Sequence, residues 1–175
     1  MTVQTKTKLK RYAVYGVIIL LAHILQNILT IFPEIASVRP VLLISVALCI
    51  SMFEGEVVGA VAGLLSGALW DTFTVTADGY NALYLMVACA VCGVLLRIFM
   101  RNNIITYIMM NTGFTTLYFL SYVLFFITAR GIDGGAEMLL RYYLPMGIYS
   151  LVLTPFWYVI IRAINRKFSY SYTEY

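Results

Sequence analysis

The chain has 175 residues, of which 62% are hydrophobic and only 11% are charged, and its mean hydropathy is +0.88. Ordinary soluble domains carry about 25% charged residues, so this composition excludes that class and indicates an integral membrane protein. The net charge of +4 does not indicate nucleic-acid binding. The basic residues stand at the ends of apolar runs, where the positive-inside rule places them.

The length predicts one all-α, polytopic membrane bundle of about six transmembrane helices. We divide it into a cytoplasmic basic N-terminus (1–11), a single transmembrane domain (12–164) and a cytoplasmic tail (165–175). The uncharged run from Tyr12 to Phe32 is too long for the apolar part of a signal peptide and ends in no small-x-small cleavage site. We therefore interpret it as a retained first span.

Polar residues follow one face of this first span at i, i+3, i+4 and i+7. They are His23, Gln26, Asn27 and Thr30. Polar groups within a membrane face protein or water, so this stripe predicts either a hydrogen-bonded seam between helices or a path for a ligand. The seam is the simpler interpretation.

Two short apolar runs follow, Val41–Phe53 and 57–70, separated by Glu54 and Glu56. Each run would make a helix of about 20 Å, against a hydrocarbon core of about 30 Å. They form either two short spans joined by a hairpin at the glutamates or one long helix. A single helix would put both carboxylates near mid-membrane, at a cost of several kcal/mol each.

Counting basic residues decides between these two topologies. The hairpin gives six spans, with nine basic residues inside and three outside, whereas the single helix gives six and six. The nine are Lys6, Lys8, Lys10, Arg11, Arg97, Arg101, Arg162, Arg166 and Lys167, and the three are Arg39, Arg130 and Arg141. The positive-inside rule favours the hairpin, with short second and third spans and both termini in the cytoplasm.

The third span carries glycine at every fourth position, and an aspartate continues the series. The five residues are Gly55, Gly59, Gly63, Gly67 and Asp71. On a helix they share one ridge, which lets a second backbone approach closely in a membrane. The ridge packs within the bundle or docks a partner. We expect a methyl group added at its centre to be nearly silent unless two backbones touch there.

The next segments read as an outer loop, Asp71–Gly79, and a fourth span, Tyr80–Leu96. The Asp78-Gly79 pair is a turn signature. Cys89 and Cys92 form a C-x-x-C inside the span, where no water is available to support a thiolate, so we interpret them as packing cysteines.

A fifth span is predicted over Asn102–Ala129, and its second polar stripe consists of Asn111, Thr115, Tyr118 and Tyr122. A glycine-rich outer loop, 130–137, leads to a sixth span that runs to Ile161 and contains Pro155, a predicted kink.

Catalytic patterns are absent from the sequence. It has one histidine and no G-x-S-x-G, phosphate-binding loop or H-E-x-x-H. In the six-span topology, Glu54 and Glu56 lie on the opposite face from Asp71 and Asp78, so they cannot form one acid-base site. We therefore expect no enzyme, no cofactor and no metal site, and interpret the glutamates as a solvated turn or a functional contact.

The motif Gly59-xxx-Gly63-Leu64-Leu65-x-Gly67-xxx-Asp71, followed by Gly79-xxx-Leu83, resembles the bacterial rod shape-determining protein MreD family. A basic N-terminus and Phe-Pro-Glu after the first span match the same layout. The matching core positions are Gly59, Gly63, Gly67, Asp71 and Gly79. The resemblance implies a multi-pass plasma-membrane protein with a fold similar to the substrate-binding subunits of energy-coupling-factor vitamin transporters.

The resemblance also implies a non-enzymatic role in cell-wall elongation. The expected partners are a single-span MreC-like protein, a RodA-type glycosyltransferase with its penicillin-binding transpeptidase, and, indirectly, MreB filaments. The alternative that the fold suggests is a vitamin-type substrate-binding subunit of a transporter, with the two polar stripes lining a pocket. Such pockets need several converging polar groups, and the outer loops here are short.

Overall fold

The computed structural model describes residues 3–27, 40–73, 79–99, 102–128 and 135–170. Thr30, Asp78 and most of the predicted 130–137 loop lie outside these ranges. Every element in the described part is helical. The elements are α1 (Val3–Asn27), α2 (Leu42–Glu54), α3 (Glu56–Asp71), α4 (Tyr80–Ile98), α5 (Ile104–Tyr122), a first π-helical segment (Val123–Ile127), α6 (Gly135–Met138), a second π-helical segment (Leu139–Tyr143) and α7 (Leu144–Tyr170).

Among the described residues, four helical stretches are long and apolar enough to cross a membrane. They are Thr7–Asn27, Tyr80–Ile98, Ile104–Ile127 and Leu139–Phe168. The chain is therefore a multi-pass helical membrane bundle. Helices α2 and α3 are not among these four. Helix α2 is apolar but shorter, and α3 carries the glycine ridge.

The centre of the bundle is α2. Every residue from Leu42 to Met52 is buried, and the helix contacts α1, α3, α4, α5 and α7. A helix that is hydrophobic on all sides is stable when other helices cover every side. The central position of α2 provides this cover. The surrounding helices turn large apolar side chains outward, as at Val87, which is 49% exposed, and Val152, which is 71% exposed. These surfaces suit contact with lipid.

The chain breaks between α2 and α3 at Gly55, as the hairpin interpretation requires. Gly55 has a φ of +87°, a conformation that glycine adopts at no steric cost. A continuous helix over 41–70 is therefore not formed, and Glu54 ends one helix while Glu56 begins the next.

Several predicted boundaries differ from those observed. Helix α1 begins at Val3, within the segment expected to be a basic N-terminus, and α7 continues through Pro155 to Tyr170, into the expected tail. The end of the fifth span is π-helical from Val123 to Ile127. These differences in boundaries have no strong local signal in the sequence. Basic residues have a high helix propensity, so they can lie inside a helix as readily as at its end.

Candidate functional site

The glycine ridge of α3 is covered within the chain. A Cβ atom on Gly63 would lie 2.7 Å from the carbonyl carbon of Leu85 and closer still to its oxygen. A Cβ on Gly67 would meet the backbone of Asn81 and Ala82 in the same way. The α3 and α4 backbones are therefore in direct contact at two successive turns, and only glycine fits there.

The first residue of the ridge faces a different helix. A Cβ on Gly59 would lie 2.8 Å from the Cα of Ser51 in α2, and the Ser51 hydroxyl donates a hydrogen bond to the Cys89 carbonyl of α4. Gly59, Gly63 and Gly67 are all buried. This face packs α3 against α2 and α4, and leaves no room for a partner helix.

One more contact glycine, Gly93, lies on α4 and was not predicted from the sequence. A Cβ on Gly93 would lie 2.6 Å from the Cα of Glu56 and 2.8 Å from the carbonyl carbon of Gly55. Gly55 thus belongs to the contact through its backbone, although its positive φ places it in the turn and outside the α3 ridge. The sequence signal was Cys89-xxx-Gly93, a small-xxx-small pair facing the ridge.

Asp71 continues the four-residue spacing of the ridge glycines, but its side chain caps helix α4. Its carboxylate accepts hydrogen bonds from the backbone N–H of Asn81 (3.3 Å) and of Ala82 (3.0 Å), at the start of α4. The N-cap residue of α4 is Gly79, which has a φ of +78° and no side chain to cap with. Asp71 therefore satisfies amides that the helix itself leaves free, where the helix dipole also favours a negative charge.

The residues of the motif thus form one structural unit, the α3–α4 hairpin. Gly63 and Gly67 set the distance between the two helices, Asp71 caps the second helix, and Gly79 precedes that helix with a positive φ. The unit is tied to α5 by Asn81, which is fully buried and accepts a hydrogen bond from the Tyr118 hydroxyl at 2.6 Å.

The two glutamates of the predicted turn differ sharply. Glu54 is 4% exposed and forms an ion pair of 2.6 Å with Arg11. It also accepts hydrogen bonds from the Tyr15 hydroxyl (2.8 Å) and the Asn165 amide (3.3 Å). Glu54 therefore does not sit in a solvated turn: it anchors α2 to α1 and α7.

Glu56 has a different environment from its neighbour. It forms an ion pair of 2.6 Å with Arg97 of α4, and the Arg97 side chain is 73% exposed. Exposed pairs of this kind contribute little to stability because water and salt screen them. The two carboxylates therefore do not act as a pair.

The polar stripe on α1 caps the central helix. The Gln26 amide oxygen accepts hydrogen bonds from the N–H groups of Leu42 (2.9 Å) and Leu43 (3.1 Å). The Ser150 hydroxyl oxygen of α7 accepts the N–H of Val41 at 2.7 Å. A buried helix start leaves amides that must find acceptors, and two neighbouring helices supply them here.

The other described residues of the α1 stripe bond locally. The Asn27 amide donates a hydrogen bond to the His23 carbonyl at 2.9 Å and lies 3.4 Å from its ring Nδ1. The His23 ring packs on Phe73 with centroids 5.1 Å apart.

The stripe on α5 points to different neighbours. The Asn111 amide donates a hydrogen bond to the Thr154 hydroxyl of α7 at 2.8 Å. Among the described residues, neither the Asn111 side-chain oxygen nor the Thr115 hydroxyl has a partner. Thr115 borders a groove between α5 and α7, whereas Gln26 meets the start of α2. The two stripes therefore do not converge on one polar pocket.

Within the described ranges, no three His, Cys, Asp or Glu side chains come together in a way that could hold a metal ion. Cys49, Cys89 and Cys92 are free and buried. What this part of the chain builds is a set of helix contacts, caps and one buried ion pair. Comparisons with family models, with curated proteins and with solved structures find no match to this chain.

Proposed function

We propose that this chain is a non-catalytic subunit of a bacterial cell-wall elongation complex. In this role it sits in the plasma membrane, binds an MreC-like single-span protein, and connects it to a RodA-type glycosyltransferase and its penicillin-binding transpeptidase, with MreB filaments linked indirectly. The observation that carries the proposal is the α3–α4 hairpin. Four of the positions that resemble the MreD family, Gly63, Gly67, Asp71 and Gly79, lie at the packed and capped contact between these two helices.

The form of this unit favours a scaffold. Gly63 and Gly67 pack against the α4 backbone and Asp71 caps α4, so these residues stabilise the contact between the two helices. A fixed arrangement of helices preserves the outer surfaces that partners bind. In the polar stripes, which the transporter alternative needs as a pocket lining, the Gln26 oxygen and the Asn111 nitrogen are engaged in helix contacts.

Three contacts support six crossings with both termini in the cytoplasm. The Arg11–Glu54 pair joins the start of α1 to the end of α2, and Asn165 brings the end of α7 to the same carboxylate. The Arg97–Glu56 pair joins the end of α4 to the start of α3. These ends lie on one side of the bundle, and most basic residues of the sequence lie there too. The similarity to transporter substrate-binding subunits stays a prediction of the resemblance.

Depletion in a rod-shaped host tests the proposal. We expect round, swollen cells with mislocalised wall synthesis and normal vitamin uptake, and a plasmid copy should restore the rods. A Gly63→Leu copy should fail to restore them, because the side chain separates α3 from α4, whereas the matched Gly113→Leu change enters open space. Normal cell shape with an uptake defect would refute the proposal in favour of the transporter alternative.

A further inference from the structure

A groove of about 260 Å³ lies on the side of the bundle between α1 and α3. Its lining includes Ile50 of the central helix α2, which is fully buried. Along α1 the groove extends from Tyr12 to Ile19, which is roughly 10 Å of helix. Along α3 it is bordered by outward-facing side chains such as Val57, which is 71% exposed, and Val61, which is 52% exposed. The groove therefore opens sideways, towards the lipid.

The lining of the groove is apolar along its length. Apart from Tyr12, Tyr15 and Gly16, it consists of aliphatic side chains. The Tyr15 hydroxyl is already engaged, because it donates a hydrogen bond to Glu54 at 2.8 Å. A Cβ atom on Gly16 would meet no atom within 4 Å, so the space beside this residue is open. An occupant of this stretch is therefore an apolar chain that needs no hydrogen bond.

One end of the groove is positively charged. Tyr12 lines the groove at this end, and Lys8 lies one helical turn earlier on the same face of α1. Lys8 and Lys10 are both exposed. Glu54 and Glu56, the carboxylates at the adjoining ends of α2 and α3, are each ion-paired with an arginine at 2.6 Å. The two lysines therefore add a net positive charge beside the apolar groove.

We propose that this groove binds an anionic phospholipid. One acyl chain lies between α1 and α3, and the phosphate lies against the ammonium group of Lys8, with Lys10 adding to the attraction. A lysine near the end of a span lays its stem along apolar surface and places its charge among the headgroups. The basic residues mark this end of the bundle as cytoplasmic under the positive-inside rule, and the cytoplasmic leaflet carries anionic lipids. This inference goes beyond the proposed function and does not depend on it.

The charge at this end separates an anionic lipid from the other occupants. A transmembrane helix of a second protein carries its own basic residues at its cytoplasmic end, so they would meet Lys8 and Lys10 with like charge. A second copy of this chain brings the same basic ends. A zwitterionic lipid fills the groove with its acyl chain, but its headgroup has no net charge to attract the lysines. An anionic lipid complements both the apolar stretch and the charged end.

Native mass spectrometry of the full chain, delipidated in detergent, tests the headgroup preference. Phosphatidylglycerol and phosphatidylcholine with the same acyl chains differ only in the headgroup. We expect phosphatidylglycerol to bind more tightly, and Lys8→Gln to weaken it about fivefold, the contribution of one lysine near a membrane surface. Phosphatidylcholine binding should not change in this variant. Lys167→Gln is the matched control, because this exposed lysine stands on α7, outside the groove, and it should leave both affinities unchanged.

Two results of this experiment would overturn the proposal. If the wild-type chain binds the two lipids equally, the headgroup charge is not recognised. If Lys8→Gln and Lys167→Gln lose phosphatidylglycerol to the same extent, the attraction comes from the whole basic end of the bundle and not from the groove.

A third variant tests the apolar part of the site. Gly16→Leu places a side chain in the open space of the groove, so the chain should fold normally and lose affinity for both lipids. Gly113→Leu, which also enters open space but lies on α5, is the matched control and should bind both lipids as the wild-type chain does. Unchanged lipid binding in Gly16→Leu would show that the acyl chain lies elsewhere.

Photo-crosslinking in cells tests the occupant directly. A photoreactive residue replaces Val61 beside the groove or, as a control, Val152, which is 71% exposed on α7. We expect lipid adducts at position 61, enriched in anionic phospholipid relative to position 152. Crosslinks from position 61 to another protein or to a second copy would refute the lipid site. Normal cell shape after depletion would refute the proposed function and leave the lipid site standing, so the two proposals fail separately.

Discussion

Replacing Gly63 by alanine measures how closely α3 and α4 approach. At this position an added Cβ would lie 2.7 Å from the Leu85 carbonyl carbon and 3.0 Å from the Cys89 sulfur. A backbone carbonyl cannot turn aside as a flexible side chain can, so the two helices must separate. The matched control is Gly113→Ala in α5, where an added Cβ meets nothing within 4 Å.

The magnitude follows from comparing the two variants. Both gain roughly 1 kcal/mol or less from the better helix propensity of alanine, so this contribution cancels. Only Gly63→Ala pays for overpacking, which costs about 1–3 kcal/mol. We therefore expect the two free energies of unfolding to differ by about 1–3 kcal/mol, which is roughly 2–12 °C in midpoint for a chain of this size.

The assay is thermal unfolding of both purified variants in the same detergent, beside the wild-type protein. Gly113→Ala should match or exceed the wild-type midpoint, and Gly63→Ala should fall below it. Equal midpoints for the two variants would show that the backbones do not touch at Gly63. If the backbones do touch at Gly63, the Gly63→Leu variant should capture less partner only in proportion to its loss of folded protein.

Glu54→Gln should destabilise the protein by about 1–3 kcal/mol, because it leaves the partly buried Arg11 guanidinium without its counter-charge. Glu56→Gln is the control and should leave the melting midpoint nearly unchanged, so equal losses in both variants would contradict the burial of Glu54. Asp71→Ala should cost about 0.5–2 kcal/mol and speed amide exchange at the start of α4, while Asp71→Asn should keep part of the cap. Reporter fusions at residues 5, 99 and 170 should report cytoplasm and those at 36, 75 and 134 the outside, and a cytoplasmic signal at 75 would refute the six-span topology.

The glycine ridge of α3 was predictable from the sequence only in part. A period of four predicts a ridge without side chains, because helix geometry alone places i, i+4 and i+8 on one face. The identity of the covering helix depends on where the chain returns, so Leu85 and Asn81 of α4 were not predicted as its neighbours. Asp71 fits the same period, yet its carboxylate faces the start of the next helix and caps it.

The polar residues were also predicted only in part: the sequence indicated which helix face is polar, and the tertiary structure showed what that face contacts. A stripe on α1 predicted that Gln26 faces protein, since lipid offers it no hydrogen bonds. Its partners, the free amides of α2, follow from the position of a helix end and cannot be read from periodicity. The glutamates were interpreted as a solvated turn or a functional contact, and the structure shows that Glu54 bonds to Arg11 of α1 and Asn165 of α7.

The sequence by itself determined the class of this protein, its helical composition and the break between Glu54 and Glu56, although Gly55 was expected on the ridge of the third span. These depend on composition, on residues within one or two helical turns, and on the charge at helix ends. Only the tertiary structure decided that α2 is the core and that the Thr115 hydroxyl is buried without a described partner. Glu54 and Asn165 are 111 residues apart, and contacts of that kind depend on how whole helices pack. Packing of this kind follows from the joint fit of all the helices, which no local pattern encodes.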